Sequence, residues 1–341
     1  MGRRCVSVTD FDPKALGGFL DDRFGAAPLR IDRVAGGQSN PTYFVTHGDA
    51  RMVLRKQPEG PILRGAHAVD REHRILAALG PTNVPVPCPI LYHDDPTLLG
   101  TPFYLMERVD GRVFPDGALT GADPAERRAL WMGLADAMAA LHGVRPDAIG
   151  LGDYGRPGNY FERQINRWSS QWHESPHDPI PELDLLADWL SRNQPEDDDR
   201  VSIAHGDFRM GNVIFAPDKP KVAAILDWEL STLGHPLADL GYCCMAWHTS
   251  PDEYGGILGL DHAALGLPSE DAFIARYMAR NPGMAPLTTF HKAFALFRFA
   301  VIWVGIADRV RTGTAAGSDT DKHAGLASKL AKRGIDLIEK G

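Results

Sequence analysis

The feature that most constrains this chain is a loop held between short apolar runs, Ala204-His205-Gly206-Asp207-Phe208-Arg209-Met210-Gly211-Asn212. Residues 200–204 lead into it, and Val213-Ile214-Phe215 leads out. Ala216-Pro217-Asp218-Lys219-Pro220 then breaks the pattern before a further run, 222–226, that ends in Asp227-Trp228-Glu229. Proline and aspartate between two apolar runs predict a turn, because proline presets φ and aspartate bonds to nearby backbone. An Asp and an Asn thus share one loop, and a second Asp closes the hairpin that follows.

Those residue types suit phosphoryl transfer. That reaction needs the ATP phosphates neutralised, the attacking oxygen placed in line and its proton accepted. Asp207 is the candidate proton acceptor. Mg²⁺ takes hard oxygen ligands, and Asn212 and Asp227 offer an amide carbonyl and a carboxylate. The Asp207-to-Asn212 spacing is that of the kinase catalytic loop, Asp-x-x-x-x-Asn, with Gly206 where Arg is usual. A plain polar hairpin explains any one of these residues through turn hydrogen bonds. It does not explain His-Gly-Asp, the spaced Asn and the Asp after the next strand, in that order.

This loop, with Ile225-Leu226-Asp227-Trp228-Glu229-Leu230-Ser231-Thr232-Leu233-Gly234 after it, strongly resembles the aminoglycoside phosphotransferase and choline kinase superfamily. Within it, the nearest likeness is to the kinase-like domain that some proteins fuse to acyl-CoA dehydrogenases. The likeness runs from about Asp32 to Tyr242 and more weakly beyond. Two departures stand out: Gly211 occupies a place where Asp is common, and His235 lies in Gly-His-Pro where Gly-Asp-Pro is usual. The resemblance implies an α+β, bilobal protein-kinase-like fold. Residues 1–106 would form a small sheet lobe and 107–341 a larger, mainly helical lobe, with MgATP between them. Asp239, in Leu237-Ala238-Asp239-Leu240-Gly241, would brace the catalytic loop through hydrogen bonds.

Further residues take roles from the same resemblance. Ala35-Gly36-Gly37-Gln38-Ser39-Asn40 lies between two strand-like runs, and could be only a hairpin turn. The resemblance makes it the phosphate-covering loop, with Gly36, Gly37, Ser39 and Asn40 facing the nucleotide through backbone N–H groups. The strand 51–56 ends in Arg55-Lys56, and a kinase needs a cation there, paired with a helix Glu. Neighbouring strand side chains face opposite ways, so only one can serve. Alignment favours Arg55, with Lys56 second, and Glu72 on the helix 68–79 as the partner. Phe103-Tyr104-Leu105-Met106 reads as a buried strand before the hinge. Met106 would border the adenine pocket, and the backbone of Glu107 and Val109 would bind the adenine edge.

The wider composition sets limits. The 341 residues, 44% hydrophobic and 23% charged, match a globular chain with ample core. A net charge of -8 argues against non-specific nucleic-acid binding. Four cysteines without paired metal spacing fit a reducing cytoplasm. The apolar stretch 293–307 contains Arg298 and falls short of a ~20-residue membrane span, so it reads as a buried helix. Residues 12–24, 160–168, 270–280, 287–309 and 321–339 also read as helices, as does the chain from Pro124. Four prolines make 81–89 a loop. His173-Glu174-Ser175-Pro176-His177 matches a zinc-protease string, but Pro176 prevents both histidines from sharing one intact helix.

The reading is an ATP- and Mg²⁺-dependent phosphotransferase that acts on a hydroxyl of a small molecule, such as a hydroxyacyl-type metabolite. The alternatives are aminoglycoside O-phosphotransfer and a nucleotide-binding pseudokinase that regulates a partner. A protein kinase fits less well, for lack of Asp-Phe-Gly and Ala-Pro-Glu signals.

Overall fold

Asp12 starts the first helix because its carboxylate accepts the Lys14 N–H at 2.9 Å and Pro13 follows it. This helix, α1 (Pro13–Phe24), lays Leu16 and Leu20 on an antiparallel sheet. The strands are β1 (Leu29–Arg33), β2 (Thr42–His47), β3 (Ala50–Lys56), β4 (Pro89–His93) and β5 (Phe103–Glu107), in the order β1-β2-β3-β5-β4. Helix α2 (Val69–Leu79) precedes β4 and buries Ile75, Leu76 and Leu79. The computed structural model describes residues 9–34, 40–60, 67–175, 178–311 and 325–340. Gly36, Gly37 and Ser39 lie outside them.

Two compact units divide the chain, Met1–Asp110 and Gly111–Gly341. The division falls at Asp110 rather than Met106. Glu107 pairs with Met52 in the sheet, and Arg51 grips the Asp110 carboxylate, so the hinge residues stay with the first unit. Strand β4 falls at the end of the stretch expected to be a loop. It is an edge strand whose proline sits at its first position, where a missing N–H costs no ladder bond.

The second unit holds helices α3 (Pro124–His142), α4 (Tyr160–Glu174) and α5 (Pro181–Arg192). Two hairpin-like pairs follow: β6 (Ser202–Ala204) with β9 (Thr232–Gly234), and β7 (Val213–Phe215) with β8 (Val222–Ile225). Helices α6 (Pro236–Cys244), α7 (His262–Leu265), α8 (Glu270–Met278), α9 (Thr289–Arg311) and α10 (Leu326–Ile338) complete it. Helix α9 is long and apolar enough to cross a membrane by length and composition, yet its apolar window is 67% buried inside the protein. It packs against α4, α5, α6 and α10, as a core helix does. The sequence reading missed α5, although Pro181 and acidic Glu182 and Asp184 open it and Leu183, Leu186 and Leu190 line its buried face. Helix α4 closes at Glu174 and Ser175 is extended, so Glu174 and His173 end the helix there, and His177 lies outside the described residues.

Strand alternation separates the two basic residues of β3. Met52, Leu54 and Lys56 share the face covered by α1, and Arg55 takes the other. Lys56 is fully buried, with Nζ 3.3 Å from Asp10 and 5.6 Å from the Phe11 ring centre. Asp10 also accepts from the Tyr43 hydroxyl at 2.7 Å. Removing one partner of a buried ion pair leaves an uncompensated charge. Glu59 stands 3.7 Å from the same Nζ, so Asp10→Ala is expected to lower urea-unfolding stability by about 2 kcal/mol, less than the loss of a sole partner. Adding Lys56→Met should recover part of that loss, and a double-mutant cycle measures the coupling.

Candidate active site

The loop between β6 and β7 is positioned from below by one buried carboxylate. Asp239, 1% exposed on α6, accepts the backbone N–H groups of His205 (2.6 Å) and Gly206 (2.9 Å). His142 of α3 adds a contact at 3.2 Å and is itself held by the Tyr277 hydroxyl at 2.7 Å. Burial acts to raise the Asp239 pKa, but the hydrogen bond and charge of His142, with the Gly206 N–H, outweigh it and hold the carboxyl below its usual value. The loop needs glycine at 206: its φ is +84°, and a Cβ there would lie 2.8 Å from the Leu230 carbonyl oxygen.

His205 fixes the other side of the loop. Its Nε2–H donates to the Leu226 carbonyl at 2.8 Å, while its Nδ1 accepts the Asp207 N–H at 3.2 Å. These bonds require one ring proton, on Nε2. They tie the loop to the end of β8, where the Leu226 N–H also donates to the Asn212 carbonyl at 2.8 Å. Asn212 and Asp227 are thereby brought to adjoining strand ends, and Asp227 turns in a left-handed conformation with φ +65°.

At the top of the loop, Asp207 receives a donor on each carboxylate oxygen. Asn212 Nδ2 donates to Oδ2 at 2.7 Å, and the Tyr242 hydroxyl donates to Oδ1 at 2.5 Å. Burial, and then the Asp207 charge, push the Tyr242 pKa well up, so its proton stays on. Each oxygen has a further lone pair with which to meet an incoming hydroxyl. Arg209 Nε lies 3.5 Å from Asp207 Oδ1.

The donor set fits Mg²⁺. Asn212 commits its Nδ2 to Asp207, which leaves Oδ1 as its hard ligand atom beside the Asp227 carboxylate. Mg²⁺ commonly takes only one or two protein oxygens, with phosphate and water completing the shell. Among the described residues no cluster of three or more His, Cys, Asp and Glu offers a metal cage.

In the first unit, Glu72 is 1% exposed and receives three groups. Arg55 Nε lies 3.3 Å from Oε2, the Tyr104 hydroxyl donates to Oε2 at 2.8 Å, and Asn40 Nδ2 donates to Oε1 at 2.6 Å. Asn40, expected at the phosphates, is 1% exposed, and its carbonyl oxygen meets His67 Nδ1 at 3.1 Å. Its side chain therefore serves the Glu72 network. Lys56 stands on the opposite face, as described above. Met106 is buried and Glu107 exposed at the end of β5. The Glu107 N–H already donates to the Cys88 carbonyl at 2.8 Å, so its own carbonyl is the group an adenine amine would meet. Val109 follows in irregular backbone, half-buried.

Reading the sequence missed Arg209 and Tyr242. Tyr242 had a signal: it lies three residues after Asp239 on α6, on the helix face that carries the brace. His235, the unusual residue in Gly-His-Pro, caps α6 by accepting the Leu237 N–H on Nδ1 at 3.2 Å and directs Nε2 to Asp198 at 3.1 Å. It thus does the capping that an Asp would do.

Comparison with known proteins agrees with this geometry. The profile of a phosphotransferase enzyme family matches residues 30–254. The chain belongs to that family. It is 39% identical over 333 residues to acyl-CoA dehydrogenase family member 11 of Gallus gallus, covering 96% of this chain and 42% of the relative. It is 37% identical to the probable acyl-CoA dehydrogenase IBR3 of Arabidopsis thaliana, covering 99% of this chain and 44% of that one. The chain thus spans less than half the length of these relatives. A crystal structure from Ralstonia eutropha, of a protein provisionally named an aminoglycoside phosphotransferase, is 43% identical. It superposes with a TM-score of 0.86 over 97% of this chain and 99% of that one. Aminoglycoside phosphotransferase APH(4)-Ia, in complex with AMP-PNP and hygromycin B, has a TM-score of 0.62 at 14% identity, covering 96% of this chain and 98% of that one. That likeness is one of fold, the kinase-like α+β fold.

The brace yields a pH prediction. The Asp239 pKa is lower in the folded protein than in the unfolded chain. Its contribution is therefore complete above the ordinary carboxylate range and is lost as pH falls through the depressed folded value. Asp239→Asn is expected to cost about 3 kcal/mol at neutral pH and to flatten the acid limb of stability against pH. Urea unfolding across the acid range measures both.

Proposed function

We propose that this phosphotransferase moves the γ-phosphate of ATP to a hydroxyl of a small molecule. The observation that carries the reading is the Asp207 carboxylate, with Asn212 and Tyr242 on its two oxygens and its loop braced by Asp239. In the proposed reaction the acceptor O–H bond breaks and its proton passes to Asp207. The freed electron pair forms a bond to the γ-phosphorus, and the bond from that phosphorus to the bridging oxygen breaks, leaving ADP. Tyr242 and Asn212 fix the carboxylate so that its free lone pairs meet the hydroxyl. Asn212 Oδ1 and Asp227 would hold Mg²⁺, which neutralises phosphate charge. Arg55, oriented by Glu72, would bind phosphate oxygens.

The acceptor reading is a hydroxyacyl-type metabolite. It is supported by the relatives, which carry acyl-CoA dehydrogenase names and extend well beyond the region shared with this chain. An aminoglycoside is the second reading, supported by the name of the Ralstonia eutropha protein. A cytoplasmic setting is the accompanying reading, supported by four cysteines without paired metal spacing.

Two measurements test this. Asp207→Ala should still bind MgATP yet lose about a hundredfold or more in turnover, the scale of general-base catalysis. Unchanged turnover would remove Asp207 from the role. Thermal unfolding with ATP at about a hundred times its dissociation constant should show ~2.7 kcal/mol of stabilisation that depends on Mg²⁺ and is lost in Asp227→Ala. A folded protein with no shift would favour the pseudokinase reading.

A further inference from the structure

Beside Asp207 the second unit contains a small recess of about 50 Å³, bordered by Arg209, Gly211, Tyr242, Tyr254, Glu253 and Phe299. Arg209 is the cation in it. Its guanidinium stands 5.0 Å from the Tyr254 ring centre, and its buried Nε is ion-paired with Asp207 Oδ1 at 3.5 Å without a hydrogen bond among the described residues. Burial disfavours its charge, but Tyr254, Asp207, Tyr242 and Asp227 outweigh that, so it stays protonated. Five N–H donors in a fork are matched to a carboxylate or phosphate. Asp207 pairs with the Nε side of the fork only, at 3.5 Å, and Glu253 is engaged by Arg333 at 2.9 and 3.1 Å.

Residue 211 keeps the guanidinium open. A Cβ there would lie 2.4 Å from Arg209 Nη1, so any side chain at 211 would meet the fork. Glycine leaves that side of Arg209 facing the recess. Resting on the phosphotransfer reading above, we infer that the acceptor is an anion, with a carboxylate or phosphate group that docks on Arg209 while its hydroxyl meets Asp207. The specificity of the site then opposes a cationic acceptor, because an ammonium group in the recess would face a like charge.

The test uses straight-chain hydroxycarboxylates, their methyl esters and the corresponding amino alcohols as probes. Binding is measured by calorimetry with AMP-PNP and Mg²⁺ present, and turnover by ADP release. The wild type should bind a hydroxycarboxylate about tenfold or more tightly than its ester, the scale of a charge-assisted hydrogen bond, and the amino alcohol most weakly. Arg209→Gln should abolish that preference and Arg209→Lys retain part of it. Gly211→Asp, which sets an internal carboxylate against the fork, should weaken the carboxylate and spare the ester. Equal binding of acid and ester by the wild type would overturn the inference. So would a preference that survives in Arg209→Gln, an equal loss for every probe in that variant, or no binding of any probe. Anion binding at Arg209 without ADP release from any probe would count instead against the phosphotransfer reading and leave the anion site standing.

Discussion

A single buried anion organises the second unit's chemistry. The Asp239 carboxylate takes two consecutive backbone N–H groups of the 204–212 loop, and those two bonds set where the loop begins to turn. Buried charge of this kind persists only where donors surround it. Here they come from the loop it orders and from His142. The same helix then lends Tyr242 to Asp207, so one face of α6 both supports the loop from below and steadies the carboxylate at its top. Glycine at 206 is part of this arrangement, since no side chain fits against the Leu230 carbonyl.

The first unit solves a different problem by the same economy of donors. Glu72 is buried, and Arg55, Tyr104 and Asn40 share its two oxygens. A cation held this way keeps a defined direction, which is the property a phosphate-binding residue needs. Lys56 neighbours Arg55 in sequence and has the same charge sign, but the strand's two-residue period sends it to the helix-covered face.

Family membership and local departures combine at the acceptor side. The fold is that of phosphotransferases acting on small molecules, and the chain's matched relatives continue well past its length. Within that frame, Gly211 and Arg209 give the recess its character. A side chain is missing at 211, and the half-buried Arg209 guanidinium borders the recess on that side. The departure at His235 is quieter, because an imidazole can cap a helix N-terminus as an Asp does.

Much of this was legible in the sequence. That Asp207, Asn212 and Asp227 would be brought together could be read from their short spacings within one strand-loop-strand segment. Asp239 could be read as a brace, and the α+β class followed from the loop's resemblance. Arg209 and Tyr242 could not be assigned, and the bond from the Asn40 side chain to Glu72 could not be foreseen. Strand β4 was hidden by the proline at its start, and α5 was overlooked despite its capping signals. The sequence by itself determined the reactive groups whose partners are close along the chain, since local spacing governs which of them can meet. The tertiary structure decided which cation pairs with Glu72, which hydroxyl reaches Asp207 and which guanidinium stands beside it. Those choices depend on strand facing, helix docking and burial, which bring together residues far apart in the chain.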